Sequence, residues 1–401
     1  MLDATFPGLA WEGFVPISSK TLGSSTCVIH LAPDPAQAPA CAQCGALCPK
    51  VHDTQYRRVR DRDLFDYRVW LDVPVRRVRC QRCGVGRERL SWLAPRARMT
   101  ERMRLHAEVL LRLLPIKHVA QLTGLHWHTL KAIDKARLGR ELPPLDLSRV
   151  RYLVMDEFAL FKGHRYASVV MDAERRQVLW VGEGRSREAV RPFFVWLGEH
   201  CQHIEAVAMD QNTAMDLEVQ AHCPQARVVY DLFHVMAKFG REVIDRVRVD
   251  QANALRQDRP ARRAVKQSRW LLLRNPENLD ERQAADLNEL LAINQPLMIT
   301  YLMKSQLKQL WYAKNERAAR WRWTHWYNQA LASGIEPLRR FAKNLKPYAE
   351  GIIASAVYPL NTSVLEGVNN RIKVIKRMAY GYRDSDYFFL KIKSAFPGKA
   401  R

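Results

Sequence analysis

Arg151–Glu157 reads RYLVMDE. Tyr152, Leu153, Val154 and Met155 form a short apolar run with the character of a buried strand, and the run ends on two acids, Asp156 and Glu157. A strand that delivers a carboxylate at its carboxyl end can present it to a crevice of the sheet. Acids where a strand merely meets solvent are equally ordinary, so the stretch gains weight from two others. Ala206–Asp210, AVAMD, repeats the pattern, and a late helix carries Glu366.

Working outward, the period-two and apolar patterns predict strands over Arg151–Asp156, Tyr166–Met171 (closing on Asp172) and Gln177–Val181, with a hairpin turn between the last two. A helix is expected over Ser186–Cys201, a strand over Ile204–Asp210, a helix over Gln211–Ala221 and a strand over Ala226–Tyr230, ending at Asp231. Three strands in hairpin order, then helix, strand, helix, strand, is the order of a ribonuclease-H-like α/β sheet. In that layout the first and fourth strands are neighbours, so Asp156 and Asp210 fall side by side. Glu157 faces the other side of the sheet, and Asp172 suits a hairpin turn. The pair Asp231 and His234 stands near the same end of the sheet and is expected to support or orient the site.

Asn361–Tyr382 reads NTSVLEGVNNRIKVIKRMAYGY. Leu365, Val368, Ile372 and Ile375 recur as the buried stripe of a helix, with Glu366 beside it and Asn370, Lys373 and Arg377 along one flank. That places a carboxylate next to a track for phosphates. Three carboxylates from two adjacent strands and a helix can hold two divalent ions, Mg2+ or Mn2+. Asp156 would bridge both, while Asp210 and Glu366 would each serve one. Such a pair stabilises the attacking and leaving oxygens of a phosphoryl displacement.

Upstream, Cys41-x-x-Cys44 and Cys80-x-x-Cys83 are two knuckles suited to a structural tetrahedral Zn2+, each followed by a glycine (Gly45, Gly84) that admits a tight turn. Cys48 and His52 are spare ligand types nearby. Strand-like Tyr67–Val73 and Val75–Arg79 lie between the knuckles, and arginines crowd the module, which favours phosphate contact. Glu101–Leu114 reads as a helix with Leu105, Val109, Leu110 and Leu113 at helical spacing. Ile116–Leu122, the turn Thr123-Gly124-Leu125 and Trp127–Leu138 fit a helix-turn-helix, with an ordinary αα-hairpin as the alternative. Its second helix would carry Trp127, His128, Lys131 and Lys135 toward DNA.

The expected architecture is multidomain α/β: a zinc-ribbon-like module over 1–95, a helix-turn-helix region over 96–148, and a ribonuclease-H-like core over 149–234 and 346–401. A helical insertion over 235–345 interrupts that core. The insertion is rich in Trp, for which burial in the core is the default expectation. With 64 Lys+Arg against 41 Asp+Glu, the 401-residue chain carries a net charge of +23, which points to a polyanion partner. CxxC usage fits metal binding in a reducing cytoplasm rather than disulfides. No uncharged run reaches membrane-spanning length, and the N-terminus lacks a signal-peptide pattern.

The zinc knuckles, the helix-turn-helix, the VMDE and AMDQN acids, the YDLFHV segment and the NTSVLEGVNNRIKVIKRMAYGY tail together resemble a bacterial insertion-sequence transposase of the DDE type, the ISL-three group. The resemblance covers nearly the whole chain and is most specific in DLFHV and EGVNNRIKVIKRMAYGY. It implies Asp156, Asp210 and Glu366 as catalytic triad, and an N-terminal region that binds the element's terminal inverted repeats. Asp231 and His234 resemble a D-x-x-H signature of such enzymes. The expected partners are double-stranded DNA, both element ends and target, and a second copy of the chain in a dimer or larger assembly. The expected location is the cytoplasm, at the nucleoid. A catalytically silent DNA-binding regulator and a structure-selective nuclease are the rival readings.

Overall fold

The computed structural model describes residues 11–161, 163, 165–360 and 363–399, with 363–366 described by backbone alone. Two compact units divide the chain: Met1–Glu141 with Met378–Tyr380, and Leu142–Arg377 with Gly381–Arg401.

The first unit is built on a five-stranded sheet of β1 (Phe14–Leu22), β2 (Thr26–Pro33), β3 (Val51–Arg60), β4 (Arg68–Cys80) and β5 (Gly84–Arg87), in the order β1-β2-β4-β3 with β5 also on β4. The two strands expected at 67–79 are one. Pro74 does not break β4, because β2 leaves that strand by Asp72 and β5 joins only at Arg77, so an edge is free where proline lacks a donor. Strand β3 is mostly exposed and polar, which hid it from pattern reading.

Three helices follow: α1 (Glu101–Leu113), α2 (Ile116–Thr123) and α3 (Trp127–Glu141). The turn between α2 and α3 rests on Gly124 at φ +68°, where a Cβ would also press on the Arg68 guanidinium. The helices close on Ala107, Leu111, Val119 and Leu130. Of the residues at helical spacing on α1, Leu105, Val109 and Leu113 are exposed and Leu110 packs against that core, while Met103, Ala107, Glu108 and Leu111 face inward. Both sets share the helical period. The inner one wins because Ala107 permits close approach and the Glu108 carboxylate is neutralised by Arg104 and Arg140.

Asp61 ties the sheet to α1. Its carboxylate is fully buried and accepts from the Trp11 indole at 3.0 Å, the Thr100 hydroxyl at 2.6 Å and Arg102 Nε at 2.7 Å. Thr100 in turn caps α1. Burial pushes the Asp61 pKa up, but the Arg102 and Thr100 hydrogen bonds outweigh it and hold the carboxyl below its usual range. A depressed carboxylate stabilises the fold above its unfolded value and loses that contribution as pH falls through the folded one. Asp61→Asn is therefore expected to cost about 1.5–3 kcal/mol near pH 7. The difference from wild type should shrink below about pH 4, as read by urea unfolding across pH; a constant difference would deny the ionised role.

The second unit contains a second five-stranded sheet: β6 (Tyr152–Phe161), β7 (Arg165–Asp172), β8 (Gln177–Glu183), β9 (Ala206–Met209) and β10 (Arg227–Tyr230), in the order β10-β9-β6-β7-β8. β6, β7 and β8 are antiparallel neighbours, and β9 and β10 add in parallel beside β6. This is the expected ribonuclease-H-like order. α4 (Arg187–Leu197), α5 (Thr213–His222) and α6 (Leu232–Phe239) follow β8, β9 and β10. β6 does not stop at its acids: it continues to Phe161 against β7, and only the parallel ladder with β9 ends, at Val154 and Ala208.

The insertion holds α7 (Asp245–Ala254), α8 (Arg259–Gln267), α9 (Arg269–Leu273), α10 (Glu281–Ile293), α11 (Gln295–Lys308), α12 (Glu316–Ala332) and α13 (Glu336–Leu345), and α14 (Ala349–Ala354) follows it. α15 (Ser363–Met378) and α16 (Ser385–Ala395) complete the unit. Alternation along the strands separates two cores. Leu153, Met155, Val207 and Met209 face a large core shared with α4–α6 and the insertion. Val154, Phe158, Ala206, Ala208 and Val229 face a smaller one with Val368, Ile372, Phe388 and Ile392 of α15 and α16. Trp323 and Trp326 are core residues, whereas Trp270 and Trp321 are exposed. Among the described residues, no helix is long and apolar enough to cross a membrane.

Candidate active site

Val154 is in register with Ala208, and Met209 with Tyr230. Two residues past Val154 and two past Ala208 stand Asp156 and Asp210; one past Tyr230 stands Asp231. All three are therefore level just past the point where the parallel ladders of β6, β9 and β10 end. By parity they share the face of Val154, Ala208 and Val229, the face covered by α15. Asp156 accepts from the Asn369 amide at 2.5 Å and the Glu157 backbone N–H at 2.7 Å. Asp210 Oδ1 lies 2.6 Å from His234 Nδ1, and Asp231 Oδ2 lies 3.2 Å from the same nitrogen. Asp231 also caps α6 through the Phe233 N–H, so the helix aims His234 back at Asp210.

The electrostatics are those of a negative site short of positive charge. Burial, then the Asp210 charge, pushes the Asp156 pKa up to about 6. Hydrogen bonds donated to Asp210 and then to Asp231 push His234 up to about 10, so at neutral pH an imidazolium offsets part of the charge. The donor set fits a hard divalent cation: carboxylate oxygens on one face of the sheet, and a buried Asn369 Oδ1 that has no partner among the described residues. Glu366 stands on α15 one turn before Asn369; its side chain lies outside the described residues. Asn370, Lys373 and Arg377 are exposed on the same helix.

Glu157 faces away from that helix, toward Arg185 at 2.8 Å and the Asn212 amide at 3.2 Å, yet both acids reach one open cleft of about 440 Å³. Asp172 is buried and accepts from the Glu174 and Arg175 N–H groups, a turn role. Sequence reasoning missed Asn369. The available signal was its spacing of three from Glu366, which puts both on one helix face.

In the first unit the Sγ atoms of Cys41, Cys44, Cys80 and Cys83 all lie within 4.8 Å of one another. A Zn–S bond of about 2.3 Å makes tetrahedron edges of about 3.8 Å, so the array accepts zinc with little movement. Backbone N–H groups of Arg82 and Cys83 pull the Cys80 thiol down to about 6, whereas Cys44 and burial push Cys83 up to about 12. A divalent cation removes that conflict among thiolates. Gly45 and Gly84 take φ of +74° and +77° at the knuckles. Cys48 turns to the Ala46 carbonyl and His52 to Asp53, outside the four. On α3, Trp127 and His128 are exposed, and Lys131 and Lys135 are half-buried, with the Lys131 ammonium 5.6 Å from the Trp127 ring.

Residues 153–392 match the sequence profile of a transposase family. Residues 88–138 match the helix-turn-helix domain of transposase family ISL3, and residues 37–83 the zinc-finger of transposases of the elements IS204, IS1001, IS1096 and IS1165. The chain belongs to the ISL3 family of transposases. It is 57% identical over 378 residues to the transposase for insertion sequence element IS1001 of Bordetella parapertussis, covering 94% of this chain and 93% of that one. It is 28% identical over 290 residues to the transposase for element IS1557 of Mycobacterium tuberculosis, covering 66% and 64%. Among solved structures, the Drosophila P element transposase strand transfer complex is similar at TM-score 0.38 and 9% identity, covering 74% of this chain and 91% of that one.

The zinc reading predicts that purified transposase carries stoichiometric zinc by mass spectrometry of metals. Cys80→Ser should release it and lower the melting temperature, and Cys48→Ser should keep it. Zinc retained by Cys80→Ser would dismiss the four-thiolate site.

Proposed function

We propose that this transposase binds the terminal inverted repeats of its element and carries out metal-dependent DNA strand cleavage and strand transfer, with Asp156, Asp210 and Glu366 as its catalytic carboxylates. The observation that carries the reading is the register. It sets Asp156 and Asp210 level on adjacent strands, on the face covered by the helix that bears Glu366. Bound Mg2+ or Mn2+, as a pair, would supply Lewis-acid stabilisation to the attacking and leaving oxygens.

The chain's own groups do the rest. Asn369 holds the Asp156 carboxylate in place. His234, braced by Asp231, holds Asp210. In cleavage, a water oxygen attacks phosphorus and the bond to the 3′ oxygen breaks, freeing a 3′ hydroxyl. In transfer, that hydroxyl attacks a target phosphorus and displaces the target's own 3′ oxygen. Asn370, Lys373 and Arg377 line the approach as phosphate contacts.

Trp127, His128, Lys131 and Lys135 on α3 meet the element end, supported by the zinc ribbon's arginines. The working division is 1–95 and 96–148 for DNA ends, 149–234 with 346–401 for chemistry, and 235–345 as insertion. Because two ends must be paired, the active species is a dimer or larger assembly on DNA, acting in the cytoplasm at the nucleoid.

The test is cleavage and joining of labelled element-end DNA with Mg2+ or Mn2+. Asp156→Ala, Asp210→Ala and Glu366→Ala should each lower both steps by about 1000-fold or more while keeping end binding. A variant that stays active removes its residue from the set, and a wild type that binds without cutting makes the protein a regulator. Asn369→Ala should lower cleavage by about 10–100-fold and raise the metal concentration needed for half-maximal rate. An unchanged metal requirement would leave Asn369 a packing residue.

A further inference from the structure

A second cavity, of about 270 Å³, opens beside the carboxylate cluster, and Asp231 lines it. Its size is below the about 300–1,000 Å³ of ordinary ligand pockets, which suits one ring system. Phe233, which lies between Asp231 and His234 in the chain, stands at its mouth with 63% of its surface exposed. Its ring lies edge-on to His234 at 5.6 Å. A large aromatic held in water by a short, well-capped helix gains nothing from burial in this state.

Met236, Ile244 and Leu273 give the cavity an apolar wall. That wall contains a π-helical turn, Gly240–Ile244, a rare conformation that recurs at functional sites. Gly240 lets the Leu273 side chain lie close, since a Cβ there would stand 2.8 Å from Leu273 Cδ2. Lys304 is buried with its ammonium fixed on the carbonyls of Leu272, Leu273 and Arg274, at 2.8, 3.3 and 2.8 Å. It locks the α9 end in place, and Lys308, which also lines the cavity, is paired with Glu277 at 3.3 Å. An exposed aromatic beside an apolar slot is the chemistry that takes a flat base.

We propose that this cavity receives a single unstacked nucleobase of the DNA end, stacked on Phe233, while the adjoining strand lies over Asp156 and Asp210. The proposal rests on the assignment of those acids as the cutting site. Withdrawing a base from the stack next to the scissile bond loosens the duplex and lets the strand enter the carboxylate face of the sheet.

The experiment uses the full-length protein and end duplexes carrying 2-aminopurine at successive positions around the cut, without divalent metal, so that nothing is cleaved. Emission should change at one position on binding, equally for wild type and Asp156→Ala. Phe233→Ala, at an exposed site that folding tolerates, should raise the protein concentration needed for that change by about 5-fold or more. Leu273→Trp, which fills the slot, should abolish it. No responding position, or a response that Phe233→Ala leaves intact, overturns the proposal. Saturable binding of free deoxyadenosine monophosphate that Phe233→Ala removes would assign the cavity to a free nucleotide and also overturn it. A response that survives in a protein unable to cut any end would sink the catalytic assignment alone.

Discussion

The parallel pairing of β6, β9 and β10 is the constraint from which the second unit's carboxylate cluster follows. Side chains alternate across a sheet with period two, so one register places Asp156, Asp210 and Asp231 together, and a slip by a single residue would send one of them to the opposite face. Keeping three carboxylates level at one sheet end is electrostatically costly. Burial and Asp210 raise Asp156, and His234 answers with a positive charge. The cluster is poised for a cation in a way that a purely structural strand end is not.

Most of what surrounds the sheet keeps that register from shifting. β10, the edge strand, is short, and the insertion holds it. The Trp311 indole donates to the Tyr230 carbonyl at 3.0 Å, and the Tyr230 hydroxyl donates to buried Asp216. Gly351 of α14 lets the helix lie against the Tyr230 ring, where a Cβ would collide. Trp326 and Phe341, packed edge to face, anchor the insertion's helices in the same core. The insertion is thus a buttress for the edge strand, and its π turn shapes a cavity next to the acids.

The first unit solves a different problem. Its sheet is small, and one edge of β4 is partly open. The four cysteines join the loop at Cys41–Cys44 to the turn between β4 and β5. Asp61 then fixes the start of α1 through Thr100, and Arg60 reaches the Thr123 carbonyl at the end of α2. Two polar links, with the Arg60 carbonyl contact at 3.1 Å, set the helices that carry Trp127 and His128.

Much of this was legible in the chain alone. The apolar runs ending on acids, the CxxC pairs and the strand–helix alternation are local patterns, and local patterns specify elements and sheet order through period and connection rules. What they could not specify was selection among equivalents. On α1 two apolar stripes have the same period, and only packing showed that Leu105, Val109 and Leu113 face out. Nothing local shows that Asn369, rather than Asn370, touches Asp156, or that Phe233 stays in water at the mouth of a cavity. The sequence by itself determined which elements form and which acids follow their apolar runs, because these depend on spacing along one chain. The tertiary structure decided which partners meet and which surfaces stay open, because those depend on distances between segments far apart in sequence.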